Sequence, residues 1–403
     1  MTRVMSKSSS PSLLRDTPDG GASSAPHPYV FLLLSWLTGL LVYLALPVYI
    51  PFLTIQYTLT PRAFPRWTLR RFLRQRTNKL WVHISQWWLP SQESFEEAWS
   101  IPPTPGCYGD AKRRGELGIE VVSIPPVEGL RGGVAECRWV EAVERPGFML
   151  SPKRALGRGL ERAKVGESVF LHIHGGGYIR GHPLWQDLVF DIVNRTNLRL
   201  FSVNYRKCVV PANAFPAPLL DALAAYLYLT DTLLFPASSI VLLAESAGGH
   251  LSFLLTHYLS ELSLPLPRTM ILSSPWVDFT FSFPSYDTHK PFDSLHVGRL
   301  SRAVRSAMRY YTPQAVRGVY FSPALGNPGD WAYLVKEEVR VYMQVGTREC
   351  FEDEIKKVGR DMKDAGVDVI LREDVDGIHT GAVNDPGARE QLIKDICEIL
   401  GLD

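Results

Sequence analysis

Three groups in this chain have the residue types and the order needed to move an acyl group. In residues 240–252, "IVLLAESAGGHLS", a buried-strand run stops at Ala244-Glu245-Ser246-Ala247-Gly248, and apolar sequence then resumes. Small residues flanking a serine at a strand-to-helix bend hold its hydroxyl out on a sharp turn, where it can act as a nucleophile. A plain tight turn uses the same residues, so the serine needs partners. One is His174-Gly175-Gly176-Gly177, which follows the buried run "ESVFLHI". Consecutive glycines let backbone N–H groups approach an anion with no Cβ in the way. No Gly-Lys-Ser/Thr follows them, which argues against a nucleotide-phosphate loop. Another is His379 in "VDGIHTG", just past the last strand-like run. A general base for a serine belongs on a loop at the same sheet edge.

The imidazole needs an orienting acid from the end of the preceding strand. "QVGTRECFEDE" offers Glu349, Glu352, Asp353 and Glu354. Glu349 lies nearest the strand end and is preferred, with Asp353 in reserve. In this scheme Ser246 attacks, His379 takes its proton and Glu349 holds the ring. Backbone N–H groups of Gly176, Gly177 and Ala247 receive the oxyanion, Gly175 shapes the loop, and His174 braces it. The order serine, acid, histidine, with HGGG upstream, is the one expected when such groups sit at successive strand ends of an α/β sheet.

The elements that must position these groups alternate. "ELGIEVVSI" and "VAECRWVEAV" look like an opening pair of strands, and "ESVFLHIHGGGY" is a buried strand running into the glycine loop. "LRLFSVNYR", "SSIVLLAES", "RTMILSSPWVDF", "RVYMQVGTRE" and "VDVILREDVDGIH" follow as strands. Helices are expected at "QDLVFDIVNRT", "APLLDALAAYLYLTD", "AGGHLSFLLTHYLSEL" and "EDEIKKVGRDMKDAG". This predicts an α/β fold with a mostly parallel sheet and helices on both faces. Residues 281–330 break the alternation and read as a cap inserted over one end of the sheet.

On "HIHGGGY", "NYRKCVVPANAFPAPLLDAL", "AESAGGHLS", "VGTRECFEDE" and "DGIHT", residues 110–403 resemble the hormone-sensitive-lipase type of α/β-hydrolase, and within it the fungal steryl acetyl hydrolase branch. That family's elbow commonly reads Gly-Asp-Ser-Ala-Gly-Gly and its acid is commonly Asp. Ala244, Glu245 and Glu349 depart from this pattern. The resemblance implies an α/β-hydrolase fold, a serine carboxylesterase or deacetylase and no cofactor. It also implies an anchor in the endoplasmic reticulum with the domain in the lumen. A hydrophobic ester is the expected substrate, either an acetylated sterol or a polyketide or terpenoid metabolite. The alternative is a non-catalytic small-molecule receptor on the same fold.

Composition narrows the rest. With 403 residues, 46% hydrophobic and a net charge of +2, the chain can bury a large core and has no basic tract for a nucleic-acid partner. Its five scattered cysteines form no Cys-x-x-Cys, which argues against a structural zinc site. Residues 1–27 read as a disordered tail, and 28–57 as a transmembrane anchor with Pro47 and Pro51 kinking or ending it. A signal peptide is the rival, although its apolar core is normally shorter. Residues 58–110 read as a basic amphipathic segment, with seven Lys or Arg between Arg62 and Lys79. It suits either a headgroup surface or a cover for the domain at 111–403. Those charges favour a cytoplasmic domain, whereas the sequon at Asn194 favours a lumenal one, so the side stays open.

Overall fold

In strands buried on both faces, alternate side chains must feed two separate cores, and the central strands here do so. The computed structural model describes residues 28–59, 67–85, 117–130, 132–155 and 157–402. The tail at 1–27, and residues 60–66 and 86–110 of the basic segment, lie outside the described residues.

Among the described residues, eight strands form one sheet: β1 (Leu117–Ile124), β2 (Arg145–Pro152), β3 (Val169–Ile173), β4 (Arg199–Val203), β5 (Ile240–Glu245), β6 (Thr269–Ser273), β7 (Arg340–Gly346) and β8 (Asp368–Asp374). Their spatial order is β1-β2-β4-β3-β5-β6-β7-β8. Only β2 runs against its neighbours, and from β4 to β8 the ladder is parallel. Leu171 and Ile173 of β3 and Leu242 and Ala244 of β5 enter the larger core. Phe170, Val241 and Leu243, one residue out of phase, enter the second core on the opposite face.

Helices α3 (Asp187–Thr196) and α8 (Pro386–Leu400) cover the second face through Leu188, Val189, Ile192, Leu392 and Ile396. The first face is covered by α4 (Ala217–Leu227), α5 (Ala247–Glu261) and α7 (Glu352–Ala365). Between β6 and β7 the chain forms a short helix, Ser285–His289, then α6 (Val297–Ala307) and further single turns. The expected strands and helices from residue 169 onward are present.

The expected opening pair is half wrong. Residues 134–143 form no strand; a 3-10 turn, Gly133–Ala135, leads into irregular chain. Val134, Cys137 and Val140 are buried from a loop, which reproduces strand-like alternation without a ladder. The true partner of β1 is residues 145–152, despite Pro146 and Pro152. These prolines sit at the second and last positions of β2, where missing N–H donors interrupt no central ladder bond.

Upstream, α1 (Pro28–Leu59) runs through both Pro47 and Pro51 rather than stopping at them. Residues Trp36–Leu59 are long and apolar enough to cross a bilayer. Trp36 is 75% exposed and Val48 77%, so the protein does not cover this apolar surface. Its last turns meet the rest of the described chain. Leu53 packs with Trp67, Phe72 and Ile378, which docks α2 (Leu69–Ser85) on the loop beside His379. The Trp67 indole donates to the Asp376 carbonyl at 2.7 Å, and Arg71 and Arg74 each reach Asp385 at 3.3 Å.

Candidate active site

The serine, the glycine loop, the acid loop and the histidine all sit at the carboxyl rim of the parallel strands. Register makes this so: Glu245 pairs with Ser273, Ser273 with Gln344, and Gly346 with Asp374. The segments that leave these strands therefore begin at one level.

Ser246 stands between β5 and α5 with φ 53° and ψ −121°, a backbone conformation a serine rarely adopts. Such a residue costs about 1–3 kcal/mol and persists only when its surroundings hold it. Its N–H donates to the Ser273 carbonyl at 3.1 Å, and its carbonyl accepts from the Trp276 and His250 N–H groups at 3.0 and 3.2 Å. Ala244 keeps its methyl in the larger core, inside the strand rather than at the bend, so the elbow accommodates it. Glu245 turns away from the serine. Its carboxylate meets His172 Nε2 at 3.2 Å, and His172 Nδ1 meets the Ser202 hydroxyl at 2.8 Å.

Gly248 lets the elbow approach the neighbouring strand. A Cβ at Gly248 would lie 1.9 Å from the Ile173 carbonyl oxygen and 2.8 Å from that of His174. Both are backbone atoms leading into the glycine loop. Gly248→Ala is expected to cost at least about 3 kcal/mol, the upper range for overpacking. Thermal unfolding of the variant reads this out, and an unchanged midpoint would show that the elbow has slack.

The glycine loop is held from behind. His174 is buried, stacks on Tyr205 with centroids 4.4 Å apart, and its Nδ1 lies 2.7 Å from the Gly175 carbonyl. Gly176 takes φ +125°, and a Cβ there would sit 2.0 Å from the Arg180 carbonyl. Tyr178 hydrogen-bonds His250 Nδ1 at 2.6 Å, tying the loop to α5. Sequence reasoning missed that clamp, because a tyrosine after glycines and a histidine inside a helix carry no pairing signal.

His379 Nε2 lies 2.8 Å from Ser246 Oγ. Phe351 packs edge-on against the imidazole at 4.9 Å. Burial, and then the Arg180 guanidinium, push the imidazole down to about 3, so it is neutral and able to accept a proton. Glu349 is fully buried. Its Oε2 accepts from Ser274 Oγ at 2.6 Å and from the Gly346 N–H at 3.2 Å. Glu349 Oε1 and His379 Nδ1 are both buried without a hydrogen-bond partner among the described residues. Burial raises the Glu349 carboxyl, the Ser274 hydroxyl opposes this, and Asp293 adds to the rise.

Asp353 instead accepts from the Ser285 N–H at 2.7 Å, and Glu352 meets His289 at 2.7 Å. Glu354 is buried and accepts from the Val277 N–H at 3.2 Å. Asp293 carries no sequence signal that would single it out. Its Oδ1 accepts from the His379 N–H at 3.3 Å and its Oδ2 from the Cys350 N–H at 2.7 Å, strapping the histidine loop to the acid loop.

A cavity of about 410 Å³ opens on these groups. Gly175, Gly176, Gly177, Ser246 and His379 line it, together with Asn78 and Trp81 of α2. Ala247 is the first residue of α5, where helix N–H groups lack intrahelical acceptors. A larger cleft of about 590 Å³ lies at the opposite ends of β6, β7 and β8. Its charges are already paired, Arg268 with Glu338 and Arg340 with Asp368. Asn194 is exposed on α3, and its sequon partner Thr196 is buried, donating to the Ile192 carbonyl at 2.7 Å.

The model of the alpha/beta hydrolase fold family matches residues 170–382, more than half of the chain. The chain belongs to that family. An esterase of Acinetobacter venetianus is 24% identical to this hydrolase over 274 residues, covering 63% of this chain and 82% of that protein. A hormone-sensitive lipase from a metagenome library shares its fold with 24% identity and a TM-score of 0.54, covering 74% of this chain and 91% of that one. Carboxyl esterase 2 of the mycorrhizal fungus Tuber melanosporum does so with 19% identity and a TM-score of 0.55, covering 69% and 85%.

Proposed function

We propose that this hydrolase is a membrane-anchored serine carboxylesterase or deacetylase that cleaves a hydrophobic ester through an acyl-enzyme. The observation that carries the reading is the 2.8 Å approach of His379 Nε2 to a serine hydroxyl held on a strained elbow beside a glycine loop. Ser246 Oγ attacks the ester carbonyl while its proton passes to His379 Nε2. The imidazolium then returns that proton to the departing alcohol, leaving Ser246 acylated. Water repeats the sequence in reverse roles, and the acid departs. Gly176, Gly177 and Ala247 N–H groups bind the oxyanion, with Gly175 shaping the loop; one such donor contributes about 2.7–4 kcal/mol to the barrier. Glu349 orients and stabilises the imidazolium.

The uncovered apolar surface of α1 and the basic face of α2 support a membrane anchor. Because α2 also lines the cavity, an ester dissolved in the membrane would meet the site directly, and residues 281–330 serve as its cap. The endoplasmic reticulum is the proposed membrane, with an acetylated sterol or a polyketide or terpenoid ester as substrate. Full-length protein in microsomes is expected to resist carbonate extraction, to react with a fluorophosphonate and to lose that label in Ser246→Ala. Cleavage of acetyl-sterol against short-chain nitrophenyl esters then separates the substrate classes. An unlabelled protein that cleaves neither ester would overturn the assignment. A glycosidase shift lost in Asn194→Gln would place the domain in the lumen.

A further inference from the structure

Among the described residues, two cations in the cavity have no counter-charge. Arg180 follows the glycine loop, and Arg299 projects from α6; both line the cavity that holds Ser246 and His379. Neither forms an ion pair or side-chain hydrogen bond among the described residues, whereas other arginines near the rim are spoken for. Arg71 and Arg74 meet Asp385, and Arg389 meets Asp187 and Asp191. The carboxylates nearby are also engaged. Glu245 turns to His172, and Asp293 accepts from three backbone N–H groups, those of Ser294, Cys350 and His379.

We infer that Arg180 and Arg299 together bind an anionic oxygen group, a carboxylate or a phosphate, carried by the ester substrate. This rests on the esterase reading and narrows it. Arg180 is exposed and Arg299 half-buried, so both guanidiniums remain open to a group that enters the cavity. Planar guanidinium forks match carboxylate and phosphate oxygens in pairs. The mutual effect is visible in Arg299, which burial and then the Arg180 and Arg302 charges push down to about 9, still a cation at neutral pH.

The anion also bears on the chemistry. Arg180 is close enough to disfavour a positive imidazole at His379, and an imidazolium is what the acylation step creates. An anion seated on the arginines offsets that charge when the proton arrives. A neutral ester of equal size leaves the opposition in place. The best substrate is therefore an amphiphile, with an apolar body and one anionic group within reach of the scissile bond. An acid-bearing polyketide or terpenoid ester fits this; a plain sterol acetate does not.

The test compares esters that differ mainly in charge, 4-acetoxybenzoate and 4-acetoxyphenyl phosphate against neutral methyl 4-acetoxybenzoate, using the full-length protein. The anionic esters are expected to show kcat/KM on the order of 10–100-fold above the neutral one, the scale of a charge-assisted hydrogen-bonded pair. The arm with the larger advantage names the oxyanion. Arg299→Gln and Arg180→Gln should each collapse that ratio, and Arg299→Lys should restore part of it. In Arg180→Gln the acid limb of kcat/KM should also move to higher pH, because removing the cation lets the imidazole pKa rise.

Calorimetric binding of the same esters to Ser246→Ala reads recognition without turnover. Equal or weaker binding of the anionic esters there overturns the inference even in an active enzyme. Arginine-dependent binding of the anions by a protein whose wild type cleaves none of the esters overturns the esterase reading and keeps the anion site. Cooperative thermal unfolding of each variant checks that lost selectivity is not lost folding.

Discussion

Ser246→Ala is expected to lower kcat on the order of 10⁶-fold, and His379→Ala by about as much, with the double variant scarcely worse than either. The reason is that the 2.8 Å contact makes one device of two residues. Without the imidazole, the hydroxyl keeps its proton and is a poor nucleophile at neutral pH; without the hydroxyl, the base has nothing to activate. The glycine N–H groups and the cavity survive in all three variants, so a residual rate of about 10³–10⁴ over water should remain. Single-turnover rates on one activated ester measure all four proteins. If the two losses multiply in the double variant, the residues act independently, and the acyl-enzyme scheme fails.

The parts of this site that the sequence made legible are those with a local signature. A strand period that ends in Ala-Glu-Ser-Ala-Gly can be read from five residues, because the bend excludes large side chains there. HGGG is legible for the same reason, since backbone must approach backbone. What stayed hidden depends on distant contact. Asp293 lies in an irregular stretch and matters only because two loops, more than fifty residues away in the chain on either side of α7, come down onto its oxygens. Glu245 looked like a departure from the family's elbow, and its reason is His172 on the adjacent strand. The misassigned strand at 134–143 has the same origin: burial from a loop and burial from a ladder leave the same apolar spacing. Arg180 and Arg299 look like ordinary surface charge until the fold brings them into one cavity.

Glu349→Gln is the other large effect, a loss of about 10⁴-fold in kcat by analogy with removing the charge of a triad acid while keeping its shape. Glu349 Oε2 is committed to Ser274 and to the Gly346 N–H, so any interaction with the histidine falls to Oε1. That oxygen and His379 Nδ1 are buried and otherwise unsatisfied, and leaving both so costs about 1–3 kcal/mol each. A small closure that joins them removes both penalties and fixes the proton on Nδ1, leaving Nε2 free to accept from Ser246. Glutamine at this position keeps the contact to Ser274 but supplies no charge for the imidazolium. Asp353→Asn serves as the contrast. Its carboxylate caps the Ser285 N–H while the Ser285 hydroxyl accepts from the Asp353 N–H, a reciprocal brace remote in role from the imidazole. Its kcat should stay near wild type. A larger loss in Asp353→Asn than in Glu349→Gln would transfer the acid's role to Asp353 and leave the buried carboxyl at 349 as a packing group.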